Sequence, residues 1–166
     1  MIRHLGPADF KTMPWANGKG VTVELAREDR DGQMLWRLSR ASVVEDGDFS
    51  IFPGVERNLT VLTGPGFDLV GDGLHLAARP MAPVAFAGDV PVRATGVTAP
   101  CDDFNVMTAR HLPRPVVRVL QGNVLLTPPA GAFVAVYDPQ EQRLTLADEP
   151  VETDGRLVLA VTIWRR

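Results

Sequence analysis

Glycine and proline punctuate this chain so often that no stretch free of both exceeds 14 residues, the longest being residues 33–46. Proline lacks a backbone donor and clashes with the turn before it, and glycine loses the most backbone freedom on folding, so long helices find no room. A helical bundle is excluded. The intervening runs are short enough for strands, and several alternate accordingly. Val21, Val23 and Leu25 fall on one face of an extended segment and Thr22 and Glu24 on the other, the pattern of a half-buried strand. Residues 36–44 alternate less cleanly, because Arg37, Ser39 and Ala41 share one face while Trp36, Leu38, Arg40 and Ser42 share the other. Further strands are expected at 59–62, 67–70, 74–78, 84–86, 92–95, 104–108, 116–120, 124–127, 133–137, 143–147 and 157–164, with one short helix near 7–11. Gly-Pro, Gly-Asp-Gly, Pro-Pro and Asp-Gly turns separate them at spacings of about 8 to 12 residues, which predicts an all-β sandwich or barrel.

An internal echo accompanies the strands. Val61-Leu62-x-Gly64 followed by Gly73 recurs as Val119-Leu120-x-Gly122 followed by Gly131, each residue 58 positions later. The echo is consistent with two related β halves meeting near residues 100–115. At 166 residues the chain buries roughly 70% of its unfolded surface, enough for a core without metals or disulfides. The 17 Lys and Arg against 20 Asp and Glu give a net charge of −3, with no block of like charge. Such a chain attracts neither a phosphate backbone nor an anionic bilayer over distance, which argues against nucleic-acid and membrane partners. No run approaches the roughly 18 apolar residues of a spanning helix, the first 14 residues hold no secretion-type apolar core, and the single Cys101 cannot form an internal disulfide. A cytoplasmic protein is expected. The segment 157–164 is a candidate edge strand for a homodimer, unless another strand covers it.

Several chemistries lack their residues. His4, His75 and His111 lie 71 and 36 positions apart, none with a His or Cys two to four residues away, so no metal or other cofactor is expected. Cys101 precedes the acidic pair Asp102-Asp103, whose charge favours the thiol over the nucleophilic thiolate. Ser39, Ser42 and Ser50 have no nearby histidine and no Gly-x-Ser-x-Gly elbow. Asn17-Gly18-Lys19-Gly20 fails the spacing of phosphate-binding loops and reads as a tight turn feeding the strand at Val21.

What remains is a set of polar residues among large apolar ones: Asn17 and Glu24, Arg37, Ser50 and Arg57, and Asp103 and Asn105. An arginine within a strand is costly to bury unless it meets a carboxylate. Two readings follow. Glu24 and Asp103 supply that carboxylate as internal ion pairs, or the guanidinium forks of Arg37 and Arg57 face a small carboxylate ligand oriented by Asn17, Ser50 and Asn105.

The ordered blocks Trp15-x-Asn17-Gly18-x-Gly20-x-Thr22-x-Glu24, Trp36-Arg37-x-Ser39-x-Ala41, Phe49-Ser50-x-Phe52-Pro53-Gly54-x-x-Arg57, Leu62-x-Gly64, Phe86-x-Gly88-Asp89 and Asp103-Phe104-Asn105-x-Met107 resemble the HutD/Ves family. They span about the first two thirds of the chain. The departures, Asp48 where the family often has Pro and residues 99–102 where it usually has a Gly-containing turn, fall in turns. The resemblance implies a bicupin: two small antiparallel β-barrels of jelly-roll type, residues 1–110 carrying the motifs and residues 111–166 forming a second half, with strand exchange between the halves compatible. It implies no metal, since the His-x-His signature of metal-binding cupins is missing. It also implies a regulator of histidine catabolism that binds a small carboxylate such as urocanate, formiminoglutamate or formylglutamate. The weight then moves to a ligand pocket with Arg37 and Arg57 as anchors, Ser50, Asn17 and Asn105 as secondary contacts, and Trp15, Phe49 and Phe104 as walls or core. The rivals are a metal-free isomerase or hydrolase with Glu24 or Asp103 as general base, and a structural partner protein.

Overall fold

The computed structural model describes residues 1–15 and 18–166. Its contacts divide the chain into two compact units, Lys11–Arg110 and a second made of Met1–Phe10 with His111–Arg166. Among the described residues every strand ladder is antiparallel, with one isolated parallel bridge between Val61 and Pro80, no α-helix occurs, and no hydrogen-bonded sheet closes on itself.

The first unit holds β2 (Lys11–Pro14), β3 (Val21–Arg30), β4 (Gln33–Val43), β5 (Gly47–Asp48), β6 (Val55–Thr63), β7 (Phe67–Gly71), β8 (Leu74–Ala78), β9 (Val84–Ala87), β10 (Val92–Thr95) and β11 (Cys101–Ala109). They form a six-stranded sheet in the order β2-β3-β4-β11-β6-β9 and a four-stranded sheet in the order β5-β10-β7-β8. One core draws on both: Val43, Leu59, Val61, Phe86 and Cys101 from the larger sheet, Phe67, Leu69, Ala78, Val92 and Ala94 from the smaller. Burying these side chains contributes about 1.5–3 kcal/mol for each large one.

The second unit holds β1 (Ile2–Leu5), β12 (Val116–Leu120), β13 (Leu125–Leu126), β14 (Ala132–Asp138), β15 (Arg143–Ala147), β16 (Val151–Glu152) and β17 (Val158–Trp164). Its five-stranded sheet runs β1-β15-β14-β17-β12, beside the short ladder β13–β16. Phe133, Tyr137, Leu144, Leu159 and Ile163 are fully buried there.

One local expectation changes, and two points that the sequence leaves open take a definite form. The short helix is a single 3₁₀ turn over Pro7–Asp9, closed by Gly6 N–H donating to the Asp9 carboxylate. The first ten residues pair with the C-terminal unit rather than the N-terminal one, since Ile2, Arg3, His4 and Leu5 lie opposite Ala147, Leu146, Thr145 and Leu144. The segment at 157–164 is interior, because β17 is paired with β14 on one side and β12 on the other. The outer strands of that sheet are β1 and β12.

Both echoed turns follow the end of a strand, and Gly64 (φ 86°) and Gly122 (φ 102°) adopt the left-handed backbone that glycine supplies without steric cost. At Gly64 a side chain is also excluded by space, since a Cβ would stand 2.4 Å from the Pro100 carbonyl oxygen.

Candidate functional site

The middle of the six-stranded sheet sets the site. Met107 of β11 lies opposite Arg37 of β4 and Arg57 of β6, Asn105 opposite Ser39 and Leu59, and Asp103 opposite Ala41 and Val61. Side chains two apart on a strand share a face, so these rows stack on one surface, with the two arginines separated by the Met107 strand. The mixed alternation of residues 36–44 is thereby resolved: Arg37, Ser39 and Ala41 face a cavity, and Trp36 and Leu38 are buried on the opposite face. Alternation also parts the neighbouring acids. Asp102 accepts from Arg40 Nη2 (2.8 Å) and Ser42 Oγ (2.7 Å), whereas Asp103 lines the cavity. A register irregularity on the β6 side falls between those two residues, a device that re-aims side chains beside sites.

The cavity measures about 380 Å³, in the range of small-molecule sites, and Arg57 is its central charge. The residue is 7% exposed. Its guanidinium carbon stands 5.4, 5.2 and 5.0 Å from the ring centroids of Phe49, Phe52 and Phe86. Such rings attract a cation through their quadrupoles but carry no countercharge. Nη1 donates to the Ser50 carbonyl oxygen (3.3 Å), Nη2 to Asn105 Oδ1 (3.4 Å), and Nε has no partner. Among the described residues no carboxylate stands within 4.0 Å of it. Burial pulls its pKa down to about 10, opposed by the charge of Asp103 and reinforced by that of Arg37.

Arg37 is differently placed. Its Nε donates to Glu24 Oε2 at 2.8 Å, both side chains being 13% exposed. Arg37 lines the cavity and Glu24 does not, so the internal ion pair read as one alternative from the sequence exists for Arg37.

Asp103 is 1% exposed. Oδ1 accepts from Asn105 Nδ2, and Oδ2 is buried without a partner. Burial lifts its pKa to about 7, against the hydrogen bond from Asn105 and the charge of Arg57, both of which lower it. Asn105 therefore bridges the two, its amide N–H serving the acid and its oxygen the guanidinium. Ser50 lines the cavity beside them. Asn17 lies outside the described residues. Phe104 is core, fully enclosed and not among the lining residues.

Two supports hold the rim. The Trp15 indole N–H donates to Thr22 Oγ1 at 2.8 Å, and a Cβ on Gly20 would meet the same ring at 2.8 Å, which accounts for the Trp, Gly and Thr spacing of the first block. The segment 49–54 is tied down by Phe49 N–H to the Val92 carbonyl, Phe52 N–H to the Gly88 carbonyl, and Gly54 N–H to Asp89 Oδ1. Arg110 grips Asp89 with both terminal nitrogens (2.9 and 2.8 Å), Glu56 through Nε (2.8 Å) and the Gly54 carbonyl through its backbone N–H. Hydrogen bonds from Arg110 hold the Asp89 carboxyl below its usual range. Polar positions within strands point to no part for Phe52, Phe86, Asp89 or Arg110. The first three stand in the resemblance blocks, while Arg110 lies outside every block and gave no signal.

No group of three or more His, Cys, Asp or Glu placed to hold a metal occurs among the described residues, and no described helix is long and apolar enough to cross a membrane.

The HutD family model matches residues 7–158. An uncharacterized 21.2 kDa protein in the hutC 3' region of Pseudomonas putida is 32% identical over 159 residues, covering 93% of this chain and 83% of that protein. Protein Ves of Cronobacter sakazakii is 39% identical over 117 residues, covering 67% of this chain and 64% of its own length. The structure of HutD from Pseudomonas fluorescens, described as a formate condition, superposes with a TM-score of 0.85 at 29% identity, covering both chains fully. A model match over most of the chain, close relatives in the sequence and the same fold end to end agree: this chain belongs to the HutD/Ves family.

Proposed function

We propose that this chain is a cytoplasmic small-molecule-binding protein that senses a small carboxylate intermediate of histidine catabolism, of the kind of urocanate, formiminoglutamate or formylglutamate, and thereby regulates the pathway. The observation that carries this reading is Arg57: a buried cation among three aromatic rings, on a cavity of about 380 Å³, with no carboxylate of the described chain within 4.0 Å. A buried cation with no carboxylate in direct contact is unfavourable, and an entering carboxylate relieves that cost with a charge-assisted, two-pronged hydrogen bond. Arg37 adds positive potential from the neighbouring strand while held by Glu24, so Arg57 is the primary anchor. The relative in the hutC 3' region supports the pathway. The lining offers no His or Cys as a metal donor, in keeping with a metal-free site. We read the two units as the halves of a bicupin, a reading supported by the echoed turns.

The test is a thermal-shift titration with urocanate, formiminoglutamate and formylglutamate. A ligand that binds only the folded protein raises stability by mass action, about 2.7 kcal/mol at a hundred times Kd. At least one compound is expected to raise the melting temperature of the wild type and to leave Arg57→Met unmoved. Stabilisation of both proteins alike would refute the site, and no stabilisation by any compound would refute the ligand class.

A second reading is favoured by one observation, the buried Asp103 with its proton affinity near neutrality: a metal-free enzyme on the same compounds, with Asp103 as general base. Turnover seen as a change in ligand mass, lost in Asp103→Asn, would replace sensing by catalysis.

A further inference from the structure

Asp103 is unexplained by anion anchoring alone. It is an acid facing the cavity that is meant to receive an anion, and one of its oxygens, Oδ2, is buried there with no donor. We infer that Asp103 is the second recognition element of this cavity: a carboxylate binds Arg57 together with one proton, taken from solvent onto the Asp103 carboxyl, which then donates its O–H to the bound anion. The inference rests on the carboxylate-binding reading above.

The hydrogen-bond geometry supports it. Asn105 spends its oxygen on Arg57 Nη2, so its amide N–H is directed to Asp103 Oδ1, and that choice leaves Oδ2 as the atom that needs a proton or a donor. The hydrogen bond from Asn105 and, after it, the charge of Arg57 oppose Asp103's tendency to protonate. An arriving carboxylate takes up that positive charge and places a second negative charge in the same enclosure, where two carboxylates cannot both stay ionised cheaply. The proton resolves the conflict, and no other reactant is required.

The surrounding groups make the assignment specific. On the same face of the sheet as Asp103, two rows along, stand Arg57 of β6 and Arg37 of β4, the latter tied to Glu24 of β3. Asp102 and Arg40 act on it from their own ion pair, and Asp48 of β5 stands at the cavity rim with its side chain 84% exposed. The lining contributed by β2 and by the segment 49–52 has no titratable side chain, and neither His nor Cys lines the cavity. Among these groups Asp103 is the one whose proton is exchanged near neutrality, since burial holds its pKa at about 7.

The experiment is calorimetric titration of the full chain with propionate and with N-formylglutamate, neither of which titrates between pH 6 and 8, in two amine buffers of different ionisation enthalpy. Close to one proton is expected to be taken up per anion at pH 8, and Kd at pH 8 should be about tenfold weaker than at pH 6. Asp103→Asn, whose amide supplies a donor at every pH, should bind with Kd independent of pH, near the wild-type value at pH 6, and without proton uptake. Arg57-dependent binding whose Kd is flat from pH 6 to 8 would overturn this inference and leave the carboxylate reading standing. Proton uptake that persists in Asp103→Asn would also overturn it. Absence of Arg57-dependent binding by either probe at either pH would bring down the carboxylate reading and this inference with it. Should Asp103→Asn fail to fold, carbon-13 titration of the wild-type Asp103 carboxyl gives the answer: protonation near neutral pH, moved upward by the probe, supports the coupling, and a carboxyl ionised throughout refutes it.

Discussion

Arg57 and Asp103 are both held where water alone would not put them, and each sets a measurable consequence. Replacing Arg57 by Met removes the charge between Phe49, Phe52 and Phe86 but leaves the Ser50 carbonyl and the Asn105 side-chain oxygen without their donor, and a buried acceptor left unsatisfied costs about 1–3 kcal/mol. Arg57→Met is therefore expected to melt below the wild type by scanning calorimetry while losing its response to carboxylates. For Asp103 the sign is the reverse of an ordinary surface acid. Its folded pKa of about 7 lies above the unfolded value of about 3.9, so the folded state holds more protons between those limits and stability falls as pH rises through the window. Denaturation at pH 8 should find Asp103→Asn more stable than the wild type by a few kcal/mol, and the gap should close towards pH 4. The sequence made these residues visible as polar positions within strands. It did not distinguish the two arginines, because which acid meets which base is decided by register: Glu24 lies opposite Ser39, one step along the face from Arg37, whereas Asp103 stands two rows from Arg57.

The strands that could be read from the chain carry alternating or clustered apolar residues, and the missed ones do not. Residues 74–78, 92–95, 116–120 and 143–147 form strands over the expected spans. By contrast β1 and β2 are almost wholly exposed sheet edges, so no apolar alternation announces them, and the second half of β3 extends through the charged run Arg27–Arg30. The rim depends on similarly unannounced contacts. Loss of the Asp89 clamp in Asp89→Ala should raise amide hydrogen exchange across 49–54 and weaken carboxylate binding, with little change in melting temperature because the clamp is solvent-exposed. Gly20→Ala should push the Trp15 ring away from Thr22, since the added carbon would stand 2.8 Å from the indole. A changed tryptophan emission and a lower melting temperature are the expected readouts.

Across the whole chain, punctuation by glycine and proline was enough to require β structure, and the six motif blocks were enough to place the family. The grouping of Met1–Phe10 with His111–Arg166 was hidden, because pairing between strands nearly 150 residues apart leaves no local trace. Deleting residues 1–5 should accordingly speed exchange at the β15 amides and leave β4, β6 and β11 unchanged. The central claim, that a buried arginine with no carboxylate in direct contact receives a small carboxylate, is tested most directly at its own Nε–H, which has no acceptor. Nitrogen-15 NMR of the arginine side chains during titration with urocanate or formylglutamate is expected to show the Arg57 Nε–H resonance moving downfield and saturating with the ligand. A resonance that stays in place while the ligand saturates the protein would contradict the account.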